Sequence, residues 1–181
     1  MRCFLAVDLD DGLKEKVADV QNGLVDFDVN LVSKENLHFT LKFLGEVNEE
    51  LIEEVKSKAR KIASSFSPFS IDITGMGVFP DINHIRVVWI GAKQLYALQK
   101  AVDDTLADIF DREENIVPHL TLARVRSPGD KDALRNFIEA NKNADIGTMA
   151  VRGIKLKGSV VTKKGPVYED AEIFSLKQVV R

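Results

Sequence analysis

The sequence predicts a fold of mixed helices and strands built from two like halves. Strand-like and helix-like stretches alternate along the chain, and their order repeats. Two of the three histidines also head the same short motif, His38-Phe39-Thr40-Leu41 and His119-Leu120-Thr121-Leu122. His119 follows His38 by 81 positions in a chain of 181, and a rough internal repeat accounts for that spacing better than coincidence.

Arg2 to Asp8 reads as a buried strand. The helix after it carries Leu13, Val17, Val20 and Leu24 on one stripe. Val29 to Val32 is a short strand, and Leu37 to Leu44 is the first His-x-Thr strand, closed by Gly45. A helix near Asn48 to Ser64 places Leu51, Ile52, Val55, Ala59 and Ile62 on one face. Glu49, Glu50, Glu53 and Glu54 crowd its first turns, where the helix dipole favours negative charge. Phe69 to Phe79 and His84 to Gly91 are strands joined through Pro80-Asp81-Ile82-Asn83.

The order then recurs. After the strand Ile85 to Ile90 comes a helix with Leu95, Leu98, Val102, Leu106 and Ile109. His119 to Val125 is the second His-x-Thr strand, and a helix near Asp130 to Asn141 carries Leu134, Phe137 and Ile138. Ala150 to Val161 and Ala171 to Leu176 finish as strands around the loop Lys163-Lys164-Gly165-Pro166. Each half reads strand, helix, His-x-Thr strand, helix, strand. Two lobes related by an approximate two-fold axis, in one domain spanning residues 1–181, would set His38 and His119 on opposite sides of one cleft.

Composition narrows the function. Apolar residues make up 45% and charged residues 29%, the balance of a soluble globular protein. A net charge of −3 provides no global positive field for coating long nucleic acid, but leaves room for a local basic cleft. The lone Cys3 cannot form an internal disulfide, and no zinc-ligand spacing occurs, which points to a cytoplasmic setting without a metal cofactor. The opening Met1 to Asp8 is too short and too soon acidic for a signal peptide, and no apolar stretch approaches the roughly 20 residues of a membrane span. No interface signature stands out, so a monomer is expected.

The motif carries the chemistry. Side chains alternate along a strand, so each histidine shares a face with its threonine while Phe39 and Leu41, or Leu120 and Leu122, enter the core. Imidazole titrates near neutrality, and two imidazoles flanking one atom can divide proton removal from proton delivery. Two threonine hydroxyls add donors for phosphoryl oxygens. The set suits cleavage of a phosphodiester without metal. A single copy is as readily an ordinary strand histidine; two copies with matching flanks favour function.

These motifs resemble those of the two-histidine phosphoesterases. The flanks Asn36-Leu37-His38-Phe39-Thr40-Leu41-Lys42-Phe43-Leu44-Gly45 and Pro118-His119-Leu120-Thr121-Leu122-Ala123-Arg124 are similar to the bacterial and archaeal RNA 2′,3′-cyclic phosphodiesterase branch, also called 2′-5′ RNA ligase. Arg2-Cys3-Phe4-Leu5-Ala6-Val7 and Arg86-Val87-Val88-Trp89-Ile90-Gly91 extend the likeness. The resemblance implies a bilobal α+β fold with antiparallel sheets lining a central cleft and helices outside. It implies hydrolysis of RNA 2′,3′-cyclic phosphate ends to 2′-phosphates without metal or other cofactor. It further implies His119 as proton acceptor, His38 as proton donor, and Thr40 and Thr121 on the non-bridging oxygens. Ligation of tRNA halves through a 2′-5′ bond is the related alternative, and a small cyclic nucleotide is an alternative substrate. A binding module without catalysis is the reading from another class, and binding alone does not require two imidazoles.

Other residues are weighed singly. Lys42, two beyond Thr40, should share its face and add charge to the cleft, although a solvated strand-end lysine fits equally. Arg124 stands five after His119, an odd offset that a regular strand turns away; the resemblance nevertheless favours a phosphate contact there, reached through a bulge or the strand end. Tyr168, after a Gly-Pro loop, is the better candidate for stacking on a base, whereas Phe43 is expected in the core. Trp89, among Val87, Val88 and Ile90, is expected in the core, and His84 is an ordinary edge residue. Lys155, Lys157, Lys163 and Lys164 form a local basic cluster that could guide an RNA end, though a solvated hairpin explains such lysines as well.

Overall fold

The structure is a computed structural model and describes residues 2–127, 129–162 and 165–177. Its strands are β1 (Arg2–Asp8), β2 (Val29–Leu31), β3 (His38–Glu46), β4 (Phe69–Asp81), β5 (His84–Gly91), β6 (His119–Val125), β7 (Asp145–Val151), β8 (Gly153–Thr162) and β9 (Gly165–Ser175). The helices are α1 (Asp11–Asn22), α2 (Glu49–Ser65), α3 (Tyr96–Thr105) and α4 (Lys131–Ala140). The sheet is antiparallel in the order β7-β4-β5-β6-β3-β1-β8-β9, with β2 added beside β6. The α+β expectation holds. One continuous ladder, however, replaces separate sheets, and its two halves join through the pair Phe39–Leu120.

The helices form where the stripes require. In α2, Val55, Ala59 and Ile62 are buried, and the Asn48 side chain caps the first turn by accepting from the Leu51 N–H at 2.8 Å. Asp130 caps α4 in the same way through Ala133 at 2.9 Å, while Leu134 and Ile138 face inward. α3 ends at Thr105, so Ile109 lies beyond the helix and packs against the core from the following turns. No helix among the described residues is long and apolar enough to cross a membrane.

Two stretches depart from the sequence reading. Residues 145–162 form two strands where one was expected: β7 pairs with β4 and β8 pairs with β1 and β9. The β4–β5 hairpin is tighter than expected, because β4 continues through Asp81 and the turn is closed by Asp81 Oδ1 accepting from the Asn83 and His84 N–H groups. Lys163 and Lys164 lie outside the described residues.

The core is one cluster on the helix side of the sheet, including Leu5, Phe39, Leu41, Ile71, Val88, Ile90, Leu120 and Leu122. The opposite face is built from the alternate positions. On β1, Cys3, Leu5 and Val7 join the core, which turns Phe4, Ala6 and Asp8 to the other side.

Candidate active site

The two His-x-Thr strands are neighbours. Pairing Phe39 with Leu120 sends both apolar side chains into the core and brings His38, Thr40, His119 and Thr121 onto the opposite face. Continued at regular antiparallel spacing, this register sets Thr40 across from His119 and Thr121 across from His38. The two histidines are then diagonal neighbours about 7–8 Å apart, enough for one phosphoryl group between them. All four are half-buried.

Each imidazole is oriented alike. His38 Nδ1 lies 2.6 Å from the Asn36 carbonyl, and His119 Nδ1 lies 2.6 Å from the Val117 carbonyl. A carbonyl only accepts, so Nδ1 carries the proton in both, which leaves the Nε2 lone pair as the acceptor end. The Thr40 hydroxyl donates to His38 Nε2 at 3.1 Å. Burial holds the His38 imidazole below its ordinary value; the Asn36 carbonyl and Asp8 act in the opposite sense, and Lys157 and His119 add to the lowering. His119 is lowered by burial, against the Val117 carbonyl, and Arg124 lowers it further. Both rings are therefore neutral bases at pH 7 in the free protein.

Strand bulges decide which flanking residues reach this face. On β3, Ala6 pairs with Thr40 but Leu5 pairs with Lys42, so Leu41 is an extra residue. On β6, Trp89 pairs with Thr121 but Val88 pairs with Ala123, so Leu122 is extra. Each bulge inverts the alternation beyond it. Arg124, predicted to turn away by offset alone, is returned to the histidine face opposite Val87, and it is exposed. Lys42 is turned the other way. The expectation that it shares the Thr40 face is corrected: it is 3% exposed, bonded to Asp103 Oδ1 at 2.5 Å and to the Asp111 carbonyl, with Glu113 at 3.6 Å. Burial alone would raise the Asp103 carboxyl, but the hydrogen bonds from Lys42 and the Glu113 N–H leave it below its usual range. The β6 bulge is braced without charge, since the Leu122 carbonyl accepts from Gln21 Nε2 at 2.8 Å and from the Val32 N–H at 2.9 Å.

Aromatic rings flank both histidines. His38 lies 4.8 Å from Phe4 and 5.3 Å, edge-on, from Tyr168, measured between centroids; Phe4 also meets Phe43 at 6.0 Å. Phe43, expected in the core, is 63% exposed, because the Leu41 bulge turns it outward with Phe4. His119 lies 4.9 Å from Phe79 and 5.9 Å from Trp89. Trp89, also expected in the core, is half-buried on the site face and covers Gly77, where an added Cβ would stand 2.3 Å from its ring.

The lysines of β8 are not free to guide an anion. Lys155 and Lys157 alternate with Asp8 and Asp170 in a ring of four charges, with contacts of 2.5 to 2.9 Å. Asp8 stands across from His38 on β1 and is the contributor that sequence reasoning missed. Its signal was the alternation of Phe4, Ala6 and Asp8 within a strand read as wholly buried. His84 lies at the exposed start of β5, apart from both motifs. Among the described residues, no three His, Cys, Asp or Glu side chains converge as a metal site needs.

The LigT-like phosphoesterase family model matches residues 5–89 and 91–168. A Methanothermobacter thermautotrophicus protein named RNA 2′,3′-cyclic phosphodiesterase is 41% identical over 97% of this chain and 99% of its own. A Methanocaldococcus jannaschii protein of the same name is 41% identical over 93% and 97%. A crystal structure of a Thermus thermophilus protein superposes with a TM-score of 0.84 at 27% identity, covering 98% of this chain and 99% of that one. E. coli LigT complexed with 3′-AMP superposes at 0.74 with 26% identity, covering 98% of both. Matched along most of its length by the family model and nearly end to end by these relatives, the chain belongs to the LigT-like, two-histidine phosphoesterases.

Proposed function

We propose that the protein is a metal-independent RNA 2′,3′-cyclic phosphodiesterase, with His119 as proton acceptor and His38 as proton donor. The observation that carries this reading is the pair of imidazoles on one sheet face, each with Nδ1–H tied to a carbonyl and Nε2 left for proton transfer. The names of the archaeal relatives support the substrate. Water attacks phosphorus as its proton passes to His119 Nε2. The P–O3′ bond breaks, and protonated His38 gives its Nε2 proton to the leaving 3′ oxygen, leaving a 2′-phosphate. His38 is assigned the acid role because it has a carboxylate neighbour, Asp8, that favours its charged form, partly offset by Lys157, whereas the charged neighbour acting on His119 is the cation Arg124. Bound phosphate, being anionic, further favours the imidazolium. Thr40, Thr121 and Arg124 hold the non-bridging oxygens, and Tyr168 with Phe43, backed by the buried Phe4, forms a wall for a base.

The same geometry serves 2′-5′ joining of tRNA halves, with a ribose hydroxyl in place of water. One bilobal chain supplies both histidines, so a monomer suffices, and the buried Cys3 accords with a reducing cytoplasm. The test is purified protein in excess EDTA on a short RNA with a 2′,3′-cyclic end, with and without a 5′-hydroxyl partner. Conversion to the 2′-phosphate is expected. A 3′-phosphate product overturns the regiochemistry, loss of turnover in EDTA overturns metal independence, and a joined product as the main outcome replaces hydrolysis by ligation.

A further inference from the structure

Asn36 makes two bonds in different directions. Its backbone carbonyl accepts from His38 Nδ1 at 2.6 Å, and its side-chain amide donates to the Pro166 carbonyl at 3.0 Å. Pro166 stands near the end of the β8–β9 hairpin, paired with Val161. One residue therefore joins the imidazole to an element 130 positions away in sequence. Val117, which gives its carbonyl to His119 in the same way, has an apolar side chain that cannot make the second bond.

The end of the hairpin has little else to place it. β8 pairs with β1 from Ala6–Lys155 to Cys3–Gly158, and from Ser159 on it pairs with β9. A two-stranded hairpin is marginal in water unless it packs on something. Its outer apolar pair, Val160 and Val167, is 60% and 46% exposed, so burial contributes little here. The direction of the Asn36 bond is informative. Cys3 lies at one end of β1, and Asp8, opposite His38, lies at the other, with Asn36 two residues farther on. A hairpin that leaves the ladder beside Cys3 and bonds to Asn36 leans back over the site face. Tyr168 is carried there with it, 4.9 Å from the Phe4 ring and 5.3 Å from the His38 ring between centroids.

We propose that Asn36 is a positioning residue: its amide latches the end of the β8–β9 hairpin and so holds Tyr168 over the site as the wall for the substrate's base, while its carbonyl orients His38. The inference rests on the proposed phosphodiesterase reading, in which that wall meets a nucleoside.

The experiment compares kcat/KM for adenosine 2′,3′-cyclic phosphate and for glycerol 1,2-cyclic phosphate, which offers the cyclic phosphate without a base. A shift of the Asn36 carbonyl away from His38 would slow both substrates alike. A displaced Tyr168 slows the nucleotide alone, so the ratio of the two rates reads the latch. Tyr168→Ala should lower that ratio about tenfold, as loss of a base–aromatic contact does. Asn36→Ala should lower it about two- to tenfold, the net contribution of one hydrogen bond. In the double variant the ratio should fall no further than in Tyr168→Ala, because Asn36 acts on the base through Tyr168. An unchanged ratio in Asn36→Ala, or additive losses in the double variant, overturns the proposal. Hydrogen exchange supplies a reading that needs no turnover. Asn36→Ala should speed exchange in residues 165–171 of β9 and leave β1 and β3 as they are. Equal exchange in wild type and variant overturns the latch. If neither cyclic phosphate is hydrolysed, the phosphodiesterase reading fails instead, and hydrogen exchange alone judges the latch.

Discussion

His38 on β3 and His119 on β6 are held by the same contact, an Nδ1–H bond of 2.6 Å to the carbonyl two residues earlier, and each is followed by a threonine and a one-residue bulge. Beyond that frame the two halves of the sheet part. The His38 half braces its bulge with the buried Lys42–Asp103 ion pair and lines the site with Asp8, Lys155, Lys157 and Asp170. The His119 half braces its bulge with the neutral Gln21 amide and presents the single cation Arg124. The shared frame fixes tautomer and direction; the unshared charges are what the proposed division into proton donor and proton acceptor rests on.

The sharpest way to break this comparison is to remove each imidazole in turn. His38→Ala and His119→Ala should each cost about 10²–10⁴-fold in kcat, the range for a positioned acid or base, with folding retained. Steady-state kinetics beside circular dichroism measure this. If either variant keeps full activity, the two-imidazole mechanism is wrong.

The next contrast is between the residues at the fifth position after each histidine, Phe43 and Arg124, which the bulges turn to the same face. Arg124→Ala should lower kcat/KM about ten- to hundredfold, since a hydrogen bond to a charged group contributes about 1.5–3 kcal/mol. Phe43→Ala should act chiefly on KM for RNA and little on kcat. Asp103→Ala behaves differently from both. Taking the buried carboxylate from the Lys42 ammonium, which keeps only the Asp111 carbonyl and the more distant Glu113, should destabilise the fold by up to about 3–5 kcal/mol in urea unfolding, while surviving folded protein keeps its kcat. A lost kcat with unchanged stability would return Lys42 to the site.

These contrasts mark what the sequence could tell. The elements were legible because their periodicities are local: the α2 stripe from Val55 to Ile62 and the alternation in β1 need no knowledge of partners. The two motifs were legible because His-x-Thr keeps its face over two residues whatever follows. Trp89 was misplaced although plain alternation with the buried Val88 and Ile90 turns it to the site face; Lys42, Phe43 and Arg124 were not legible, for one physical reason. Their faces depend on bulges at Leu41 and Leu122, and a bulge is a property of two paired strands rather than of one sequence. Asp8 was missed because its meaning comes from β3, β8 and β9 together, 30 to 162 residues away in sequence.

The smallest effect concerns the charges around the two rings. kcat/KM reports the free enzyme, and both histidines sit below their ordinary value of about 6.5, so its pH optimum should fall on the acid side of that value. Asp8→Asn removes a group that raises His38 and leaves Lys155 and Lys157 with one fewer counter-charge, so the limb set by His38 should move to lower pH. Trp89, the only tryptophan, gives an independent reading of the other half, because its ring lies 5.9 Å from His119 and an imidazolium quenches indole emission. Emission titrated downward from pH 8 should drop with a midpoint below about 6.5. That midpoint should rise in Arg124→Ala, stay put in Asp8→Asn, and disappear in His119→Asn. Stability follows the same sign: with both rings lowered by folding, the unfolded chain binds more protons as pH falls below about 6.5, so unfolding free energy declines through that window. A Trp89 midpoint that moves in Asp8→Asn as far as the activity limb does would mean that the two histidines titrate as one coupled pair, and the division of charge between the halves would then not assign donor and acceptor.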